Sequence, residues 1–291
     1  SGVCSRAQIL VTRRFYLVWE CITSRKNEAV KAAVKLLDSA TFRREKGLFL
    51  AEGARLCQDA AVSGVEIVQL FATPAAKEKY SRYIAEITRV CSDCRLVQEH
   101  VAQAFSSTKN SQGVFCVCKM PAQHRSILEM PLKGRHLGLE QVQNPANLGA
   151  VLRTAEALGI SGVLLLGDCC DAYSPKALRA GMGALFRLPL FTQKDTESSV
   201  KQLQERGFLV YAAVPQKQAQ SVLNTDFTKP CVLLIGNEGS GLSEAVMQAC
   251  SACVTIPMAG RAESLNAAGA AGILMWEMMR SGLCKRSEEC L

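Results

Sequence analysis

From residue 137 onward the chain alternates short strand-like apolar runs with helical stretches, and this alternation constrains the fold more than any other feature of the sequence. The runs fall at 137–142, 162–166, 187–191, 208–214, 231–235 and 253–256. Helical spacing occupies about 148–158, 175–184, 196–206, 243–250 and 264–280. Strands separated by helices return in the same direction, so the pattern predicts an α/β fold built on a mostly parallel sheet with helices on both faces. In such open sheets ligands bind beyond the carboxyl ends of the strands, which directs attention to the loop after each strand.

The first half is less regular. From Asn27 the residues Ala29, Val30, Ala33, Val34, Leu36 and Leu37 have helical period. Phe49-Leu50-Ala51-Glu52-Gly53 reads as a strand running into a helix that carries Leu56, Ala60 and Ala61, and short strands are expected at 67–71 and 114–117. This describes a smaller α/β unit, followed by a stretch with two prolines and three basic residues that reads as a linker. The expected division is an extension over 1–21, a first module over 22–120, a linker over 121–134, a second module over 135–282 and a tail over 283–291. The length of 291 residues suits two modules of this size.

Hydrophobic residues make up 48% and charged residues 21%, which excludes a disordered polyampholyte. The longest near-apolar run, 267–276, falls short of the ~18 residues a membrane span needs, so no membrane partner is expected. Fourteen cysteines in a chain of this length read as reduced thiols rather than a disulfide framework. Cys91 and Cys94, like Cys250 and Cys253, have metal-ligand spacing, but the two pairs lie far apart and no histidine follows at finger-like spacing. No metal is expected.

Charge separates the halves. Residues 1–130 hold 19 Lys and Arg against 12 Asp and Glu, a net of +7, whereas residues 131–291 hold 15 against 14, a net of +1. A basic module joined to a near-neutral one predicts that the first attracts a nucleic acid while the second does something else. Residues 1–20 carry Arg6, Arg13 and Arg14 with no acid before Glu20. That is the composition of a mitochondrial transit segment, the alternative to a cytoplasmic location.

Three loops of the second half carry candidate chemistry. Asn144-Pro145-Ala146-Asn147-Leu148-Gly149 opens a helix, with Asn147 expected at the N-cap and Arg153 about one and a half turns in, facing the loop mouth. Gly236-Asn237-Glu238-Gly239-Ser240-Gly241 follows a buried run and has the glycine density of a backbone that closely approaches a ligand. It is not a phosphate cradle, because no Lys-Ser or Lys-Thr pair follows and Glu238 places a carboxylate where phosphate would sit. A phosphate-free ligand carrying positive charge fits better. The third loop, Ile256 to Asn266, brings Ser264 and Asn266 to the same end of the sheet, ahead of a helix of small residues.

In this order and spacing, NPANLGAVLRTAEALG, LIGNEGSGLS and IPMAGRAESLNAA closely resemble the three motifs of the SpoU (TrmH-like) family of SPOUT RNA 2'-O-ribose methyltransferases. SPKALRAGMGALFRLP is similar to the same family, and the likeness covers about 136–280. A weaker likeness in ITSRKN and in FLAEGARL through QGVF suggests that family's L30e-like substrate-binding domain over roughly 22–120. The resemblance implies a trefoil-knotted parallel-sheet domain that binds S-adenosylmethionine, a homodimer formed through the C-terminal domain with active sites at the subunit interface, and structured RNA, ribosomal before transfer RNA, as substrate. DNA is not expected. A non-catalytic RNA-binding or assembly protein on the same fold is the alternative of another class.

By the same resemblance Arg153, Asn147, Glu238, Ser264 and Asn266 are the catalytic residues. Leu234, Gly236, Asn237, Glu238, Gly239, Ile256, Pro257, Met258, Ser264, Leu265 and Asn266 would bind the cofactor. A guanidinium normally stays protonated, so Arg153 is expected to orient the acceptor hydroxyl and stabilise developing negative charge rather than remove the proton.

Overall fold

A computed structural model describes residues 19–108, 110–121 and 125–288, with side chains through Arg280. The arginines that motivate a transit segment lie in residues 1–18, outside the described residues.

The first module is a five-stranded mixed sheet. Its strands are β1 (Glu20–Ile22), β2 (Leu48–Glu52), β3 (Ile67–Ala72), β4 (Cys94–Val97) and β5 (Val114–Lys119), in the order β1-β4-β3-β5-β2. β5 runs antiparallel to both β2 and β3, while β4 is parallel to β1 and β3. Helices α1 (Glu28–Asp38), α2 (Ala40–Lys46), α3 (Ala54–Val62), α4 (Pro74–Lys79), α5 (Ser81–Thr88) and α6 (Glu99–Ala102) cover it. The sheet thus begins at Glu20, inside the expected extension.

The second module is a seven-stranded, wholly parallel sheet, as the alternation predicts. It comprises β6 (Arg135–Glu140), β7 (Gly162–Leu166), β8 (Leu190–Gln193), β9 (Leu209–Ala213), β10 (Gln220–Ser221), β11 (Cys231–Ile235) and β12 (Ala252–Thr255), in the order β10-β12-β9-β11-β6-β7-β8. Helices α7 (Pro145–Leu158), α8 (Pro175–Gly181), α9 (Thr196–Glu205), α10 (Glu244–Ala249) and α11 (Ala267–Glu288) complete it. β7 and β11 are buried at every residue, as continuous apolar runs in a doubly covered parallel sheet should be. α11 continues past 282, the expected domain end. No helix among the described residues is long and apolar enough to cross a membrane.

The two modules share a core. Phe49 of β2, fully buried, lies 5.1 Å from the ring of Tyr173 and 6.0 Å from that of Phe186. Around these rings, Arg43 of α2 is 4% exposed and bonds Asp171 at 2.6 Å while donating to the carbonyls of Leu36 and Leu37. Arg187 bonds both Asp59 of α3 and Glu156 of α7. The stretch expected as a linker is also packed where it is described: Ile127 and Met130 are buried, and Arg206 donates to both of their carbonyls. Asp171 and Tyr173 stand between β7 and α8, so the first module abuts the end of the second sheet that carries the predicted loops.

His136 on β6 is fully buried between Phe191 and Phe208, and neither ring nitrogen has a hydrogen-bond partner. Burial pushes its pKa down to about 4, against ~6.5 in an unfolded chain. Between those values the unfolded state binds the extra proton, so stability should fall as pH drops from about 7 to about 4, by up to about 3 kcal/mol from this residue. His136→Phe should flatten that part of the profile in urea unfolding followed across this window. An unchanged slope would remove His136 as its source.

Candidate active site

The site is built where β6, β11 and β12 end. After β6, Asn144 takes a β conformation and its side chain accepts from the N–H of Ala146 at 2.9 Å, with Pro145 at the first helical position. The N-cap is therefore Asn144, not Asn147 as the sequence suggests, because proline's fixed φ and missing N–H suit the position just inside the helix. Asn147 is left in the first turn, its side chain not taken up by the cap. Its Nδ2 donates to Glu238 Oε1 at 3.1 Å. Its Oδ1 accepts from Asn266 Nδ2 at 3.4 Å.

The loop after β11 is stitched shut. Asn237 and Gly241 exchange backbone hydrogen bonds, and Asn237 Oδ1 accepts from the N–H groups of Gly239 and Ser240. Asn237 Nδ2 donates to the carbonyl of Gln141, tying this loop to the first. Gly236 must be glycine, since a Cβ there would lie closer than 3.0 Å to backbone atoms of Gly241 and Leu242. This closure projects Glu238 toward the start of α7. Glu238 accepts from Asn147 and from the backbone N–H groups of Gln143 and Asn144, both at 3.2 Å. Partial burial pushes its carboxyl up, but these hydrogen bonds outweigh it and hold the carboxyl below the usual range. Glu238 is anionic at neutral pH.

The third loop is exposed from Pro257 to Asn266. Asn266 Oδ1 accepts from the N–H of Ala268, so α11 starts at Ala267 rather than at the expected 264.

Two cavities open among these loops. The first, of about 510 Å³, is lined by Gly236 through Gly241, by Ile256, Met258, Ser264 and Leu265, and by Val214 to Gln216 after β9. Its lining contains two carboxylates, Glu238 and Glu263, and no Lys or Arg. The second, of about 640 Å³, is lined by Gln143 to Pro145, Asn147, Lys176, Glu238 and Ser264 to Ala267. Glu238, Ser264, Leu265 and Ala267 belong to both, so two ligands could lie side by side there.

Most of the predicted site residues gather at these cavities, with three exceptions. Leu234 is fully buried and packs over Gly138, on the strand before the loop. Pro257 lines neither cavity. Arg153 also lines neither: it is exposed more than two turns along α7, too far from the cap to face the loop mouth. No partner for it exists among the described residues. Gln216, Met247 and Glu263 line the first cavity and Lys176 the second without having been singled out. For Gln216 the signal was present, since it follows a predicted strand at its carboxyl end. Among the described residues no three His, Cys, Asp or Glu gather as a metal site.

Residues 134–276 match the model of the SpoU rRNA Methylase family, and residues 27–116 match that of the MRM3-like substrate binding domain. Over 91% of this chain and 94% of its own length, a 23S rRNA (uridine(2479)-2'-O)-methyltransferase of Streptomyces viridochromogenes is 30% identical. The 23S rRNA (guanosine(2553)-2'-O)-methyltransferase RlmP of Bacillus subtilis is 30% identical over 88% of this chain and 98% of its own. Among solved structures, an AdoMet-bound rRNA methyltransferase from Sinorhizobium meliloti superposes with a TM-score of 0.79 at 31% identity, covering 90% of this chain and 98% of that one. The stitched glycine loop, the carboxylate it projects and the paired cavities thus sit in a chain that such proteins match over 88–91% of its length, and the chain belongs to the SpoU rRNA methylase family.

Proposed function

We propose that the protein transfers a methyl group from S-adenosylmethionine to a ribose 2'-hydroxyl of large-subunit ribosomal RNA. The carrying observation is the pair of cavities that meet at Glu238, Ser264, Leu265 and Ala267. A first cavity with two carboxylates and no cation fits a ligand that bears a sulfonium and an amino group but no phosphate. The bound cofactor supplies an activated methyl group. Most of the acceleration would come from holding acceptor oxygen and methyl in line. Gly236 and Ile256 would present backbone groups to the adenine, and Glu238 would orient Asn147 and the start of α7 against the acceptor. Asn266, bonded to Asn147, would fix the ribose from the other side.

Arg153 belongs to this reading through a second copy of the chain. α7 and α11 pack on each other, and with Arg153 they leave Ile273 and Trp276 exposed on one helix pair. We assign that face to a homodimer in which the Arg153 of each chain serves the other's cavity, and we propose separately for the C-terminal module the knotted topology that the family resemblance implies. The basic first module, over 22–120, would hold the RNA.

The test is 2'-O-methyl mapping of cellular RNA with and without the protein. One mark in large-subunit ribosomal RNA should disappear. Loss of a mark in transfer RNA alone would give the enzyme a different acceptor, and no lost mark together with no transfer in vitro would favour a non-catalytic role.

A further inference from the structure

The second cavity contains a charged side chain that the three-loop constellation does not include. Lys176 is the second residue of α8, just past the connection from β7, and lines the cavity of Asn147, Glu238, Ser264 and Asn266. It is exposed, and it is the only cation among the residues lining either cavity.

Its surroundings leave that charge free. Asp171, on the same connection, is held by Arg43 at 2.6 Å, so its carboxylate is neutralised within the interface between the modules. Glu238, the other charged residue of the cavity, takes its hydrogen bonds from the neutral groups of Gln143, Asn144 and Asn147. No carboxylate among the described residues pairs with Lys176. One turn further along α8, Arg179 donates to Ser107 and lies 3.9 Å from Glu52, so the helix that carries Lys176 runs from the cavity to the first module. A strand of RNA that placed a ribose in the cavity and continued onto that module would pass Lys176.

A ribose in RNA is flanked by phosphodiesters, and an unpaired ammonium at the rim of its pocket is the group that would take one. We infer that Lys176 binds a phosphate next to the acceptor ribose, setting which nucleotide of the strand enters the cavity. This rests on the methyltransferase reading above.

The experiment measures filter retention of deproteinised large-subunit ribosomal RNA by the full-length protein across a salt series, with cofactor affinity measured by calorimetry. Lys176→Ala should weaken RNA binding about tenfold at low salt, as expected for one charged contact. It should reduce the slope of log affinity against log salt by about one, with cofactor affinity unchanged. Lys176→Arg should recover most of the slope, because a guanidinium also pairs with phosphate. Lys229→Ala, an exposed lysine just before β11 at the opposite end of the sheet, should change neither. An unchanged slope in Lys176→Ala would overturn the assignment. So would lost cofactor affinity with RNA binding intact, which would make Lys176 a counterion of Glu238. Binding is read without turnover, so a wild-type chain that binds RNA but transfers no methyl would sink the parent reading and leave the lysine result standing. A wild-type chain that binds no RNA would overturn both.

Discussion

Arg153→Ala should lower methyl transfer about a hundred- to a thousandfold while leaving cofactor affinity within about twofold. The residue lines neither cavity of its own chain and has no partner among the described residues, so its removal disturbs neither the glycine loop nor Glu238. Transfer of a radiolabelled methyl group to ribosomal RNA, beside calorimetry with the cofactor, reads the two effects separately. Arg153→Lys should recover little, since an ammonium lacks the planar fork that can hold a hydroxyl and a phosphate together. A sharper version tests where the arginine acts. In the proposed homodimer, co-expressing Arg153→Ala with a chain unable to bind cofactor would give hybrid dimers in which one site has an intact cavity and an intact arginine from the other chain. Activity of about a quarter of wild type is expected if the arginine serves its partner, as two-fold symmetry requires. Wild-type turnover in Arg153→Ala would remove the residue from the site, and a silent mixture would place its action within one chain.

The fold was legible where burial is complete. β7 and β11 span 162–166 and 231–235 in both sequence and structure, because strands covered on both faces are continuous apolar runs. It was not legible where a strand is short and mixed: β1 and β4, Glu-Cys-Ile and Cys-Arg-Leu-Val, and the two-residue β10 give no periodic signal. The helix expected to 184 stops at Gly181, since Met182 and Gly183 both take left-handed conformations. The strand expected from 187 begins only at Leu190, after Pro189. The shared core also lay beyond sequence reading. Nothing in the order of residues tells that Phe49 will meet Tyr173 and Phe186, and this contact is why a clean cut near 120 would expose apolar surface on both pieces.

The candidate site divides in the same way. Loops that follow strands were identifiable from topology alone, and Asn147, Glu238, Ser264 and Asn266 converge. What binds Glu238 was not identifiable, because two of its three partners are backbone N–H groups whose direction depends on where α7 begins. Misplacing the cap by three residues, from Asn144 to Asn147, hid that arrangement. In the sequence Lys176 is only one letter of a family-like stretch, since its approach to the cavity depends on α8 packing beside α7.

Gly236→Ala should reduce cofactor affinity at least about a hundredfold in a chain that still folds. The position is not a left-handed one, so the backbone itself tolerates alanine. The difficulty is space: the new methyl would lie within 3.0 Å of backbone atoms of Gly241 and Leu242, which cannot move aside as a flexible side chain could. Overpacking of this kind costs about 1–3 kcal/mol when it is absorbed locally. Here local relief means opening the Asn237–Gly241 pair, which lets Glu238 swing away from Asn147 and removes the wall of the first cavity. The strand before it is buried throughout and anchored between β9 and β6, so the sheet should survive while the loop does not. Calorimetry with S-adenosylmethionine, beside circular dichroism and thermal unfolding of the same sample, separates loss of the site from loss of the fold. Gly260→Ala is the control, because a Cβ there meets nothing within 4 Å and the residue lines neither cavity, and it should bind within a few fold of wild type. Equal cofactor affinity in the two variants would mean that the closed glycine loop does not form the cofactor's wall, and the first cavity would have to be assigned to another ligand.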